Sequence, residues 1–213
     1  NLWIEMTLQP GIADGYYGSR PKLALAFADI LNAEARELEA AGVDVIQFDE
    51  PAFNVFLTEV KDWGIEALHR AIDGLKCTTA VHICYGYGIQ ANLEWKKSLG
   101  SEWRQYEEIF PALNASRIDQ ISLECAGSNV PLSLLRLLPD KQLMVGAIQV
   151  TGDRVESPAE VAATLRAAAA HVERERILPC TNCGMAPIAY DAALGKLKAL
   201  GAGAELFRKD QIS

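Results

Sequence analysis

Short apolar runs alternate along the chain with longer stretches whose apolar positions recur at helical spacing. LWIEMTL, residues 2–8, reads as a strand. Residues 20–42 follow as a long helix, with Pro21 near its start and Gly42 past its end. VDVIQF (43–48) reads as a buried strand and 61–75 as a helix. TTAVHIC (78–84) is a strand, and a Trp-containing stretch leads to a helix over 101–115. IDQISLE (118–124) is a strand, 130–139 a short helix and QLMVGAI (142–148) a strand. The sharpest helix signal is 157–175, where Ser157, Pro158 and Glu160 spell an N-cap, a proline at the first helical position and a capping box. RILPC (176–180) is the last strand and 187–201 the last helix.

Strands that read as buried on both faces, alternating with helices, imply a parallel α/β fold. Six strands are visible, whereas a (β/α)8 barrel has eight and about 250 residues. No G-x-G-x-x-G opens a helix, which disfavours a doubly wound nucleotide-binding sheet. Asp49, Cys84, Glu124 and Cys183 fall at or just beyond strand C-termini, where barrel enzymes build their sites. The expected fold is therefore a TIM (β/α)8-type barrel lacking its first one or two βα units in this chain. It forms a single domain over residues 1–213, with no linker, repeat or low-complexity segment.

Composition narrows the function classes. The 213 residues are half hydrophobic, enough for one sizeable core. A net charge of −8 without a basic cluster disfavours a nucleic-acid or anionic-membrane partner. No apolar run approaches the ~20 residues that span a bilayer, and the first residues lack the pattern of a signal peptide. Five cysteines, an odd number in a chain too large to need disulfide staples, fit free thiols in a reducing cytoplasm.

The candidate chemistry starts with AVHICYGYG, residues 80–88. His82 and Cys84 are two apart on a strand and point to one face, which makes half of a zinc site. Glu124 ends a later strand, and CTNCG carries Cys183 just after the last. Together they supply one nitrogen, two sulfurs and one carboxylate, a four-coordinate zinc set. Cys183 is preferred to Cys180, because Cys180 closes the strand while Cys183 sits in the loop above it. Cys180 stays open, since a C-x-x-C also suits a redox pair or a structural zinc. Cys77 and Cys125 read as packing residues, and His69 and His171 as ordinary helix residues. Such an electron-rich ion is poorly suited to making hydroxide from water. It can bind a substrate thiol and lower its pKa while leaving it nucleophilic, which suits alkyl transfer to sulfur. The alternative is a closed four-ligand zinc that only stabilises the fold. VIQFDEPAFN adds Asp49 and Glu50, candidate catalytic carboxylates after an apolar strand. Asp49 is placed to meet an amino-acid ammonium, or else to cap the next helix.

VIQFDEPAF, VHICY, ISLE and NCGM, in that order, resemble the catalytic C-terminal barrel of the cobalamin-independent methionine synthase family, and its short single-barrel type. The resemblance covers the chain from about Leu8. It implies methyl transfer to zinc-bound homocysteine, in methionine biosynthesis. It implies His82, Cys84, Glu124 and Cys183 as zinc ligands and Asp49 as the holder of the homocysteine ammonium. QPGIADGYYG resembles the loop that brings an aromatic residue to the methyl donor, with Tyr16 as the nearest match. The sequence departs from the family where Asn54, Val55 and Phe56 replace a stretch that often carries an acidic folate contact. It departs again where Gln149, Val150 and Thr151 stand in place of the proton-donating histidine. The donor is thus methyl-folate, a corrinoid protein or a partner enzyme. Two alternatives remain: a related zinc barrel that methylates another thiol of the coenzyme M type, and a non-catalytic barrel fragment stabilised by zinc.

Overall fold

The computed structural model describes residues 16–86 and 90–210. The LWIEMTL strand expected at 2–8 and most of QPGIADGYYG lie outside the described residues. Helix α1 spans Arg20–Ala40, and Ser19 is its N-cap, its hydroxyl accepting from the Lys22 amide. Gly42 follows with φ +93°, a left-handed turn that a side chain would strain. Strand β1 is Val45–Asp49. A turn over Pro51–Asn54, a short helical stretch Leu57–Glu59 and a π-helical turn Val60–Gly64 lead into α2, Ile65–Ala71. After β2 (Thr78–Ile83) come α3 (Gln90–Ser98), which takes up the Trp-containing stretch, and α4 (Gln105–Asn114). Strand β3 is Gln120–Glu124 and β4 Gln142–Ile148, joined through a 3-10 turn at Leu132–Leu137. Helix α5 is Pro158–Ala169, opened by the capping box of Ser157 and Glu160. Strand β5 is Ile177–Thr181 and α6 Tyr190–Lys209.

The five strands form one parallel sheet in the order β1-β2-β3-β4-β5. A strictly sequential order is that of a barrel wall; a doubly wound sheet reverses direction at a switch point. The structure therefore carries consecutive βα units of a (β/α)8-type barrel.

Strand alternation divides the side chains cleanly. One face presents Val81, Ile83, Ile121, Leu123, Leu143 and Val145, which pack in one core with Ile109, Phe110, Leu113 and Leu165 of the helices. Fully burying each such aliphatic or aromatic side chain contributes about 1.5–3 kcal/mol. The opposite face is polar. Gln47, Asp49, His82, Ser122, Met144 and Cys180 line an open cavity of about 260 Å³ on it. Strand β1 departs from the expectation of burial on both faces. Val45 is 45% exposed, and Gln47 and Asp49 are exposed too, because among the described residues β1 pairs only with β2 and is an edge strand.

Candidate metal centre

Strand β2 lies between β1 and β3, and its register sets His82 between Asp49 and Ser122. Residues paired across parallel strands share a face, so the imidazole points into the polar cavity. Cys84 is the first residue beyond the strand, and three contacts fix its backbone and sulfur. Tyr106 donates its hydroxyl to the Ile83 carbonyl at 2.8 Å, Asn54 Nδ2 donates to the Cys84 carbonyl at 2.9 Å, and the Gly86 amide donates to Cys84 Sγ at 3.4 Å.

Cys183 arrives from the other end of the sheet. The β4–β5 pairing shifts register between Gly146 and Ile148, which re-aims the chain as it leaves β5. Asn182 is buried and locks the exit. Its amide donates to the Ile148 carbonyl, its Oδ1 accepts from the Cys125 and Ala126 amides at 3.2 and 3.3 Å, and its Nδ2 donates to the Ala126 carbonyl at 2.7 Å. Gly146 makes room for this clamp. A Cβ there would lie 2.4 Å from Asn182 Oδ1 and 2.8 Å from the Leu123 carbonyl.

The result is a cluster of three donors, His82, Cys84 and Cys183, whose ligand atoms all lie within 4.8 Å of one another. The two sulfurs are 3.7 Å apart. That is far too long for a disulfide, whose S–S bond is about 2.05 Å. Two Zn–S bonds of about 2.3 Å at the tetrahedral angle set sulfurs ~3.8 Å apart. His82 Nδ1 meets Ser122 Oγ at 2.9 Å, while its buried Nε2 has no hydrogen-bond partner. A buried nitrogen left without a partner beside two sulfurs is the arrangement a metal ion completes. The donor set of one imidazole and two thiols suits zinc chemistry.

The electrostatics follow from burial and crowding. The Cys84 thiol, and then His82, hold the Cys183 thiol down at about 4 against the effect of burial. The hydrogen bond with Cys183, together with burial, pushes Cys84 far above the ordinary thiol range.

The carboxylates and Tyr16 are placed as follows. Glu124 is fully buried beside the cluster but is not one of its three mutually close donors, and its Oε1 accepts from the Tyr85 amide at 3.0 Å. Burial pushes Glu124 up to about 8, the Tyr85 amide opposing and Cys183 reinforcing the shift. Asp49 lines the same cavity as His82 and Cys183, with Oδ1 accepting from Gln47 Nε2 at 2.9 Å. Burial, with the charge of Asp49 adding to it, raises Glu50 to about 7. Its amide donates to the His82 carbonyl. Tyr16 is 86% exposed, contacts Tyr17, and does not line the cavity.

Cys125 is buried in the core and Cys77 half-buried. All five cysteines are free. Asn54, Ser122, Asn182 and Lys96 were not legible as site residues. Asn54 and Asn182 act through backbone partners 30 and 56 residues away, which no spacing rule reaches. Half-buried Lys96 lies 5.5 Å from the Trp103 ring and places its positive charge in the field of Cys84 and Cys183. A signal did exist for Gly146: a lone glycine within an apolar strand marks a close backbone approach.

The family model described as "Cobalamin-independent synthase, Catalytic domain" matches residues 17–205. A methionine synthase of Sulfurisphaera tokodaii is 31% identical over 99% of this chain and 58% of its own length. One of Thermococcus kodakarensis is 32% identical over 92% of this chain and 53% of its own. A solved B12-independent methionine synthase from Shewanella sp. W3-18-1, in complex with selenomethionine, is 63% identical, with a TM-score of 0.89 over 93% of this chain and 58% of that one. A Listeria monocytogenes structure at 17% identity and TM-score 0.64 shares the fold. The chain spans somewhat more than half the length of the relatives it matches. On the family match across 17–205, and on the identity shared with these relatives along nearly its whole length, the chain belongs to the cobalamin-independent methionine synthase family.

Proposed function

We propose that this chain is the catalytic part of a zinc-dependent methyltransferase that converts homocysteine to methionine. The observation that carries the reading is the convergence of His82, Cys84 and Cys183 at the C-terminal ends of the strands, with sulfurs 3.7 Å apart and an unpartnered imidazole nitrogen. When bound there, zinc would lower the pKa of the substrate thiol and keep its sulfur nucleophilic.

The protein's own groups do the rest. His82, Cys84 and Cys183 hold the ion. Glu124 is the proposed fourth ligand and the one that loosens when substrate enters, since the Tyr85 amide already offers its carboxylate a second partner. Asp49, exposed on the cavity wall, pairs with the substrate ammonium, and Glu50 beside it is the second candidate catalytic carboxylate. Orienting the thiol against the incoming methyl group for in-line displacement is the main contribution of the wall. The selenomethionine in the Shewanella structure is the selenium analogue of the proposed product and supports this choice of substrate. Tyr16 remains a proposed donor-side contact.

The methyl donor belongs to one of three classes: methyl-folate, a corrinoid protein or a partner enzyme. The loop after β4 carries Gln149, Val150 and Thr151 and no histidine. Turnover assays with each donor class discriminate among them. Free thiols fit a cytoplasmic setting, and among the described residues no helix is long and apolar enough to cross a membrane. Coenzyme M is the weaker substrate, because Asp49 would repel its sulfonate.

X-ray absorption at the zinc edge tests the proposal. Adding homocysteine should bring one more sulfur into the coordination shell. An unchanged shell would instead assign the ion a purely structural role.

A further inference from the structure

The C-x-x-C of residues 180–183 splits in space. Cys183 joins the cluster, while Cys180 lies on the strand facing Ser122, with Sγ 3.9 Å from Ser122 Oγ. Ser122 in turn lies 2.9 Å from His82 Nδ1. The three side chains form a line along the inner face of the sheet, from β2 through β3 to β5. Register sets His82 beside Ser122 and Ser122 beside Met144, and Cys180, two residues beyond the Met144 partner Leu178, shares their face.

A neutral imidazole carries one proton, and only the bare nitrogen can bind a metal. A serine hydroxyl beside Nδ1 can donate or accept, so by itself it leaves the choice open. The metal reading closes it, because Nε2, buried and without a hydrogen-bond partner, must keep its lone pair for the ion. The ring proton then falls on Nδ1 and the serine oxygen accepts it. Cys180 Sγ, 3.9 Å from Ser122 Oγ and able to donate or accept, gives the hydroxyl hydrogen an acceptor in that arrangement. Resting on the zinc reading above, we propose that Ser122 is a positioning residue, oriented by Cys180, that fixes the proton of His82 on Nδ1 and so aims Nε2 at the ion. The relay also gives the C-x-x-C a division of labour: one sulfur holds the metal and the other orients the group behind its histidine ligand. Outer partners of this kind alter metal affinity by about 10–100-fold.

Zinc affinity, measured by competition with a chromophoric chelator, tests the assignment on the full chain. Ser122→Ala should weaken Zn2+ binding by about 10–100-fold, and Ser122→Thr, which keeps the hydroxyl, should restore it. In 15N-edited NMR of the zinc-loaded parent, the His82 proton should sit on Nδ1 and be shielded from solvent exchange. The shielding should vanish in Ser122→Ala and return in Ser122→Thr, a response that loss of packing alone would not produce. Equal affinity in Ser122→Ala and parent overturns the assignment, as does a proton found on Nε2 in the parent, which decides the matter even if the alanine variant fails to fold. A parent that takes up no Zn2+ overturns the metal reading itself, and is thereby told apart from a failure of Ser122 alone.

Discussion

Cys84 Sγ and Cys183 Sγ lie 3.7 Å apart, although 99 residues separate them in the chain. Neither reaches the other by chance of packing. Asn54 and Tyr106 hold the exit of β2, and Asn182 holds the exit of β5. The spacing of the sulfurs is therefore a property of the sheet and its loops.

Cys183→Ser should reduce zinc from about one ion per chain to near zero, because a hydroxyl is a poor substitute for a thiolate in a soft site. Elemental analysis of purified protein checks this. Full zinc occupancy in the variant would remove Cys183 from the ligand set.

Asp49→Asn should leave zinc content intact and raise the KM for homocysteine by about tenfold or more. A hydrogen bond to a charged partner is worth ~1.5–3 kcal/mol, and the variant loses the charge. Steady-state kinetics alongside metal analysis separates the two effects, and an unchanged KM would mean that the ammonium binds elsewhere.

Gly146→Ala should destabilise the fold by about 1–3 kcal/mol, as expected for overpacking, since its Cβ would press on Asn182 Oδ1 and the Leu123 carbonyl. Asn182→Ala should cost a similar ~1–3 kcal/mol, because the Cys125 and Ala126 amides each lose one acceptor and keep only the Gly146 carbonyl, while the Ala126 carbonyl loses the Asn182 Nδ2 donor. Denaturant unfolding measures both. The two losses should fall short of adding in the double variant, because they act on one contact.

His69 makes stability pH-dependent. Its Nε2 accepts from the Arg117 amide at 3.0 Å, and burial, aided by the charge of Arg117, holds its pKa below the ordinary value of about 6.5. The folded state therefore binds this proton less readily than the unfolded chain. The associated stability is fully present above pH ~6.5 and is lost as pH falls through the lower folded value. An NMR titration of the ring should give a value below that of a free histidine. The acid-side loss of denaturation midpoint should flatten in His69→Gln.

Ser157→Ala should cost about 1 kcal/mol, a typical N-cap loss. The variant removes the hydroxyl that accepts from the Glu160 amide at the start of α5, while the amide of residue 157 can still donate to the Glu160 carboxylate. Thermal melting checks it, and an unchanged melting temperature would place the cap outside the cooperative fold.

Much of this protein was legible before any coordinates. The alternation of apolar runs with helical periodicity located all five described strands, because period 2 and period 3.6 are imposed by backbone geometry and survive in any tertiary setting. Ser157, Pro158 and Glu160 marked the start of α5 because a cap is a local hydrogen-bond problem solved within four residues. His82 and Cys84 could be paired because positions two apart in extended chain share a face, and Cys84 leaves β2 by a single residue. Where a signal depended on neighbours, the reading slipped. β1 looked buried from its apolar letters, yet Val45 and Gln47 are exposed on an edge strand. The helix expected from residue 61 begins at Leu57 and passes through a π-turn.

The sequence by itself determined the elements, their order and the residue types available for chemistry, since these follow from local sterics and from side-chain donors. Only the tertiary structure decided which donors meet. Cys183 rather than Cys180 joins His82 and Cys84, Glu124 stands beside them against the Tyr85 amide, and Asn182 ties the loops together. The reason is physical: distance in space between residues on different strands is set by sheet register and loop hydrogen bonds, neither of which is written in the spacing of residues along one strand.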